Sequence, residues 1–307
     1  MTGRIIEITT PGRSLHLDRG FLAIREDGKS IGRVPLDDID AVIAATPGLF
    51  WSGNLLSALA ERSVPVVLIG KNFAPIAHIL PLAAHHIQGA IMQAQAECSV
   101  PVKKRLWAQL VKAKIEAQAH VLSLIGKTDN RLDRLKTEVK SGDTTNREAV
   151  AAQYYWRQLM GDEFRRDRAT NGANSLLNYG YTILRASTAR AIVAAGLNPS
   201  LSLHHASNGE ALRLADDLME AFRPAIDIAV YDLIESGKTE LTPEVKAELV
   251  GVLKVDFVMK NGHTPLSHVL VRLAQSLAGV YLKEQTGLAL PSPLHPVLDQ
   301  LALGLHD

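Results

Sequence analysis

Cysteine is almost absent. Cys98 stands alone among 307 residues, which excludes an internal disulfide and every multi-cysteine zinc or iron–sulfur site. Any bound metal must therefore be held by oxygen and imidazole ligands. Long apolar runs are missing too: the longest, such as Val64 to Gly70, fall far short of the ~20 residues a membrane helix needs. The N-terminus reads Met1-Thr-Gly-Arg-Ile-Ile-Glu7, with an acid where a signal peptide carries its apolar core, so the expected compartment is the cytoplasm. No glycine-rich loop of the phosphate-cradling kind occurs. Net charge of one sign is also lacking: 33 Lys and Arg meet 32 Asp and Glu, leaving +1, which by itself says nothing in favour of nucleic acid.

What is present is apolar and unevenly charged. Hydrophobic residues make up 47% of the chain, enough for two domains, or one large one, with a sizeable core. Between Lys103 and Arg190 there are 17 Lys and Arg against nine Asp and Glu, and elsewhere 16 against 23. The middle of the chain is basic. Clusters such as Lys103-Lys104-Arg105 and Arg165-Arg166-Asp167-Arg168 could follow a phosphate backbone, or could be solvated helix faces.

The first eighty residues read as strands. Arg4 to Thr9, Ser14 to Leu17, Phe21 to Arg25 and Lys29 to Val34 are rich in Ile, Leu and Val and separated by Pro11-Gly12, Arg19-Gly20 and Asp27-Gly28, which predicts an antiparallel sheet. A short amphipathic helix from Ser52 to Glu61 and strands at Val64 to Ile69 and Ile76 to Leu80 follow. After Pro81 the period changes to that of helices, predicted at Ala90 to Leu124, Glu148 to Met160, Gly172 to Ala195, Glu210 to Ser236, Pro243 to Lys254 and Ser267 to Gln285. The fold class is α+β, with a β-rich part over 1–82 and a larger helical part over 83–307.

Three segments put acids or imidazoles against an apolar pattern. Glu148 opens a helix with Ala152, Tyr155 and Leu159 on its own face, so its carboxylate lies near the core. Thr145-Asn-Arg-Glu148 also fits a capping box, in which the glutamate only satisfies the first amide. His204 and His205 follow the turn Gly196-Leu-Asn-Pro199 and offer neutral imidazole near physiological pH. Asp217 and Glu220 are three apart and emerge on one helical face, roughly 5–6 Å from each other at Cβ. Like charges so placed call for a cation, and oxygen ligands suit Mg²⁺ or Mn²⁺. The alternative is a solvated acidic face that includes Asp216.

The order of these motifs resembles one family. Val34-Pro-Leu-Asp-Asp-Ile-Asp40 and Val64-Pro-Val-Val-Leu-Ile69 are followed by Glu148 and by Asn174-Ser-Leu-Leu-Asn-Tyr-Gly-Tyr181. Then come Gly196 to His205 and Ala215-Asp-Asp-Leu-Met-Glu-Ala-Phe-Arg-Pro224. The set is similar to the CRISPR-associated endonuclease and integrase family Cas1, most of all to its type II-associated members. The resemblance implies a metal site of Glu148, His205 and Glu220, with Asp217 as a further ligand or as an acceptor behind them; His205 is taken over His204 because it is the tenth residue from Gly196. It implies Mg²⁺ or Mn²⁺ as cofactor, and transesterification joining prespacer 3′ hydroxyls to the CRISPR repeat. It implies homodimerisation through the N-terminal domain, a Cas2 dimer bridging two such dimers, and duplex prespacer and leader-repeat DNA as partners, along with other type II adaptation proteins. Arg165, Arg166 and Arg168 are the candidate DNA contacts. Two other classes stay open on the residues alone: a non-catalytic nucleic-acid scaffold, and a metal-dependent phosphoesterase for small substrates.

Overall fold

A computed structural model describes residues 4–70, 75–82, 85–167, 172–205, 211–260, 262–292 and 296. The N-terminal part holds β1 (Arg4–Ile8), β2 (Ser14–Asp18), β3 (Phe21–Glu26), β4 (Lys29–Pro35), β5 (Ile39–Ala44), β6 (Phe50–Trp51), α1 (Gly53–Glu61), β7 (Val66–Ile69) and β8 (Pro75–Ile79). They form two four-stranded sheets, in the orders β1-β5-β7-β8 and β4-β3-β2-β6. The antiparallel expectation holds for β2, β3 and β4. Their tight turns place Arg19 and Gly20, then Asp27 and Gly28, at positive φ, as two-residue hairpin loops require.

The other sheet corrects that expectation: β1 pairs with β5, and β5 with β7, in parallel. The reason lies in burial. Five of the six residues of β5 are buried, all but Asp40, and a strand covered on both faces reads as a nearly continuous apolar run. The helix α1 supplies the crossover that two parallel strands need. Ser52 caps it, its hydroxyl accepting from the amide of Leu55 at 3.3 Å.

The helical part comprises α2 (Gln88–Ala96), α3 (Val100–Leu124), α4 (Arg131–Glu138), α5 (Arg147–Met160), α6 (Ala173–Ala194), α7 (Arg213–Met219), α8 (Arg223–Glu235), α9 (Pro243–Gly251) and α10 (Leu266–Tyr281). A hairpin of β9 (Asp256–Met259) and β10 (Gly262–Pro265) precedes α10. Two predicted helices are each divided. Ala90 to Leu124 breaks at Ser99, the residue before α3, whose first turn carries Pro101. Glu210 to Ser236, whose first residue lies outside the described residues, breaks at a 3-10 turn, Glu220 to Phe222, ahead of Pro224. Proline lacks the amide that a continuing helix would use, so both breaks sit where it can be accommodated.

The long α6 is buried on nearly every face, as expected of a helix surrounded by others. It passes so close to α8 that a Cβ on Gly180 would run into the side chain of Ile226. Sheet and helices share one core, because Ile43 and Val67 join the cluster built by α3, α5, α6, α8 and α10. Polar ties reinforce the junction. Glu7 accepts from the Tyr179 hydroxyl at 3.1 Å and pairs with Lys246 at 2.8 Å, and Arg190 pairs with Asp40 and donates to the Ser63 carbonyl at 3.1 Å.

Candidate metal centre

Four segments converge on one cavity of about 370 Å³ lined by Trp107, Glu148, His204, His205 and Glu220. Glu148 comes from the first turn of α5. The amides that open this helix are taken by Asp143, which accepts from Arg147 N at 2.8 Å and Glu148 N at 2.9 Å. The capping box read from Thr145 to Glu148 therefore does not form, and the Glu148 side chain is free for other work.

The histidines sit on the loop after α6. Gly196 ends that helix at φ 75°, a conformation few other residues adopt without strain. Gln95 of α2, fully buried, then clasps the loop: its amide nitrogen donates to the carbonyls of Asn198 at 3.0 Å and Leu201 at 2.9 Å, and its oxygen accepts from Asn198 N at 2.8 Å. The far end of the loop is held by Asp217. That carboxylate, with no exposed surface, accepts from the backbone amides of Leu203 at 2.6 Å and of His204 and His205 at 3.2 Å each, and meets His205 Nδ1 at 2.6 Å. Its hydrogen bond to the ring raises the His205 pKa against the opposing effect of burial. It also fixes the proton on Nδ1, which leaves Nε2 as the acceptor nitrogen of the neutral ring. His204 stacks flat on Trp107, 4.4 Å between centroids and 4° between planes, while His205 meets the same indole edge-on at 5.7 Å.

Asp217 and Glu220 thus face different partners. Glu220, 6% exposed, contacts Lys114 Nζ at 2.6 Å and Arg223 Nε at 2.9 Å. Burial alone would raise its pKa, but the two cations outweigh that and hold it at about 2. Lys114 Nζ also touches Glu148, so one ammonium lies between the two glutamates. The pair of carboxylates keeps the Lys114 pKa above its ordinary value despite burial. Asp216, in turn, is bound by Arg185 through two contacts at 2.8 and 2.7 Å. None of the three acids forms a solvated face.

Of the predicted residues, Glu148, His205 and Glu220 share the cavity and Asp217 stands directly behind His205. Among the described residues, no three His, Cys, Asp or Glu side chains already surround a single point as ligands would. Arg165 is exposed after α5, whereas Arg166 turns inward and donates to Asn174 Oδ1 and Asn178 Oδ1 at 2.7 Å each. Arg168 lies outside the described residues. Sequence reasoning missed Lys114, Asp143, Gln95 and Arg223. For Lys114 a signal existed: it interrupts the buried stripe Leu110, Ala113, Ala117 and Val121 on α3.

The profile of the family described as CRISPR associated protein Cas1 matches residues 6–252. The chain belongs to the Cas1 family. A CRISPR-associated endonuclease Cas1 from Neisseria meningitidis is 38% identical over 96% of this chain and 97% of its own length. One from Pyrobaculum aerophilum is 30% identical over 78% and 86%. The Cas1 architecture recurs in solved structures at low identity. A casposase bound to integration product superposes with a TM-score of 0.79 at 20% identity, covering 94% of this chain and 92% of its own. A Cas1 protein from Thermotoga maritima gives 0.76 at 15%, covering 92% and 99%. A Cas6-RT-Cas1–Cas2 complex gives 0.73 at 19%, covering 93% of this chain and 35% of its own. The resemblance drawn from the ordered motifs is thus a family relationship. No helix among the described residues is long and apolar enough to cross a membrane.

Proposed function

We propose that this Cas1 chain is a metal-dependent DNA endonuclease and integrase of CRISPR adaptation, joining the 3′ hydroxyls of a prespacer duplex to the CRISPR repeat by transesterification. The observation that carries the reading is the meeting of Glu148, His205 and Glu220 on one cavity, with Asp217 locking the imidazole from behind. Two carboxylates and one imidazole nitrogen suit Mg²⁺ or Mn²⁺. The ammonium of Lys114 between the glutamates indicates that this point is shaped for positive charge. When bound, the metal would neutralise charge at a phosphoryl oxygen and acidify the attacking hydroxyl or water.

The protein's own groups do the rest. Asp217 keeps the His205 Nε2 lone pair facing outward. Arg223 keeps Glu220 ionised at neutral pH. The Trp107–His204 stack walls one side of the cavity. Arg165 and the basic middle segment hold DNA backbones without reading sequence.

The N-terminal domain, which we take as 1–82, mediates homodimerisation. Two dimers assemble on a Cas2 dimer around duplex DNA in the cytoplasm, an arrangement supported by the likeness to Cas1 within a complex that contains Cas2. The long match to the Neisseria relative, together with the Asp217 to Pro224 motif, supports the type II branch and its additional adaptation proteins.

The test is strand transfer by the protein with its Cas2 partner, using a labelled duplex with free 3′ hydroxyls and a plasmid bearing the repeat. Label is expected in the plasmid with Mg²⁺ or Mn²⁺, and a loss of about 10³-fold or more with EDTA or with Glu148→Ala, His205→Ala or Glu220→Ala. Duplex binding that persists while transfer never occurs under any of these conditions would overturn the reading in favour of a scaffold.

A further inference from the structure

The cavity's acids are already neutralised before any ion arrives. Both oxygens of Glu220 are engaged, Oε2 by Lys114 at 2.6 Å and Oε1 by Arg223 at 2.9 Å. Glu148 gives Oε1 to the same ammonium. Two carboxylates thus face two cations, in a place where Lys114 is 8% and Glu220 6% exposed. The third acid nearby, Asp217, has spent both oxygens on three amides and the His205 ring. Of the proposed ligands, Glu148 keeps Oε2 and His205 keeps Nε2, and among the described residues no three His, Cys, Asp or Glu side chains form a ready ligand cage.

Resting on the proposed metal reading, we infer that Lys114 is the resident counter-cation of this site. A divalent ion binds by displacing its ammonium from Glu148 and Glu220, and the freed ammonium is taken up by a DNA phosphodiester in the cavity. Charge decides the coupling. Adding two positive charges to a balanced cluster in a low-dielectric setting is unfavourable unless an anion comes with them. A phosphodiester supplies that anion, and the flexible four-carbon stem of lysine lets the ammonium turn from carboxylate to phosphate without moving α3. Metal and DNA then strengthen each other's binding, and by linkage the effect is reciprocal. In the absence of DNA, Lys114 keeps the site closed to metal and so suppresses stray hydrolysis.

The experiment measures Mn²⁺ binding by electron paramagnetic resonance for the full-length protein, Lys114→Met and Lys114→Gln. Each is titrated alone and with a short duplex carrying 3′-dideoxy ends, with duplex alone and Glu148→Gln protein as references. For the wild type, Mn²⁺ should bind weakly alone and at least ten-fold more tightly with duplex, and duplex affinity read by fluorescence anisotropy should rise by the same factor when Mn²⁺ is added. Lys114→Met should bind Mn²⁺ alone at least ten-fold more tightly than the wild type, with the gain from duplex falling toward one. Its melting temperature should drop without metal and recover with Mn²⁺, while that of the wild type barely moves. Lys114→Gln keeps a hydrogen-bond donor, on a side chain one atom shorter and without the charge, and serves if the methionine variant does not fold. Equal Mn²⁺ affinity in wild type and variants, with no gain from duplex, would overturn the role of Lys114 and leave the metal centre standing. If Mn²⁺ binds no protein above the Glu148→Gln reference, with or without duplex, the metal centre itself falls and this inference with it.

Discussion

Glu220 and Asp227 lie seven residues apart, both buried, yet they settle into opposite states. Glu220 sits against two cations and is held at about 2. Asp227, 2% exposed on α8, is pushed up to about 7 by burial, and hydrogen bonds from the hydroxyls of Tyr181 and Tyr155 recover only part of the shift. The same residue chemistry gives a permanent anion in one place and a near-neutral acid in the other. Burial is common to both, so the neighbours decide. A carboxylate meant to stay charged is built beside Lys or Arg, and one that only knits a core can be left to hydroxyls.

Arg223 links the two clusters, pairing with Glu220 while lying 4.7 Å from the centroid of the Tyr181 ring. Arg223→Met should therefore have the largest effect. Removing one member of a buried pair costs about 3–5 kcal/mol. About 3 kcal/mol is expected here, because 24% of the Arg223 side chain remains accessible, and the loss would be read as a lower urea midpoint at unchanged slope.

An effect spread over several pH units, and smaller within any one of them, follows from Asp227. Its folded pKa of about 7 lies above the unfolded value of about 3.9. Between the two the folded chain holds a proton that the unfolded chain has released, so stability falls as pH rises from about 4 to 7, at up to roughly 1.4 kcal/mol per unit, and then levels. Asp227→Asn should flatten that part of the profile in denaturation measured across pH 4 to 8; a slope identical to that of the wild type would show that Asp227 is ionised throughout. The smallest effect is expected at Gly180. An added Cβ must push Ile226 aside, costing about 1–3 kcal/mol and shifting Tyr181 relative to Asp227. Thermal melts of Gly180→Ala should show the loss, and Gly180→Ala/Ile226→Val should regain part of it.

These clusters also mark how far the sequence could be read. Glu148, His205 and Glu220 were legible because an acid or imidazole inside an apolar period stands out, and because their order matches a family. Their supports were not. Asp143 lies two residues before the Thr145 expected to cap α5, and the loop geometry that brings it back, with Asn146 at φ 52°, has no short signature. Gln95 reaches a segment more than a hundred residues away. Lys114 did interrupt an apolar stripe, but lysine in a long helix is usually solvated and its stem covers apolar surface without comment. In the fold, the hairpin turns of β2 to β4 were plain. The parallel pairing of β1, β5 and β7 was not, because local turns carry no information about strands joined through a crossover. The hairpin of β9 and β10 went unread although Asn261-Gly262 in the sequence is a recognised turn pair.

Gln95 has one more consequence. Its single side chain bonds at both ends of the segment from Asn198 to Leu201, much as a neighbouring strand would, and so makes that segment part of the rigid body of α2. The conformational entropy of ordering the histidine loop is thereby lost once, during folding, and not again in each encounter with DNA. The segment from Asn198 to Leu201 is thus set before any ligand arrives, and no binding energy has to be drawn on to arrange it.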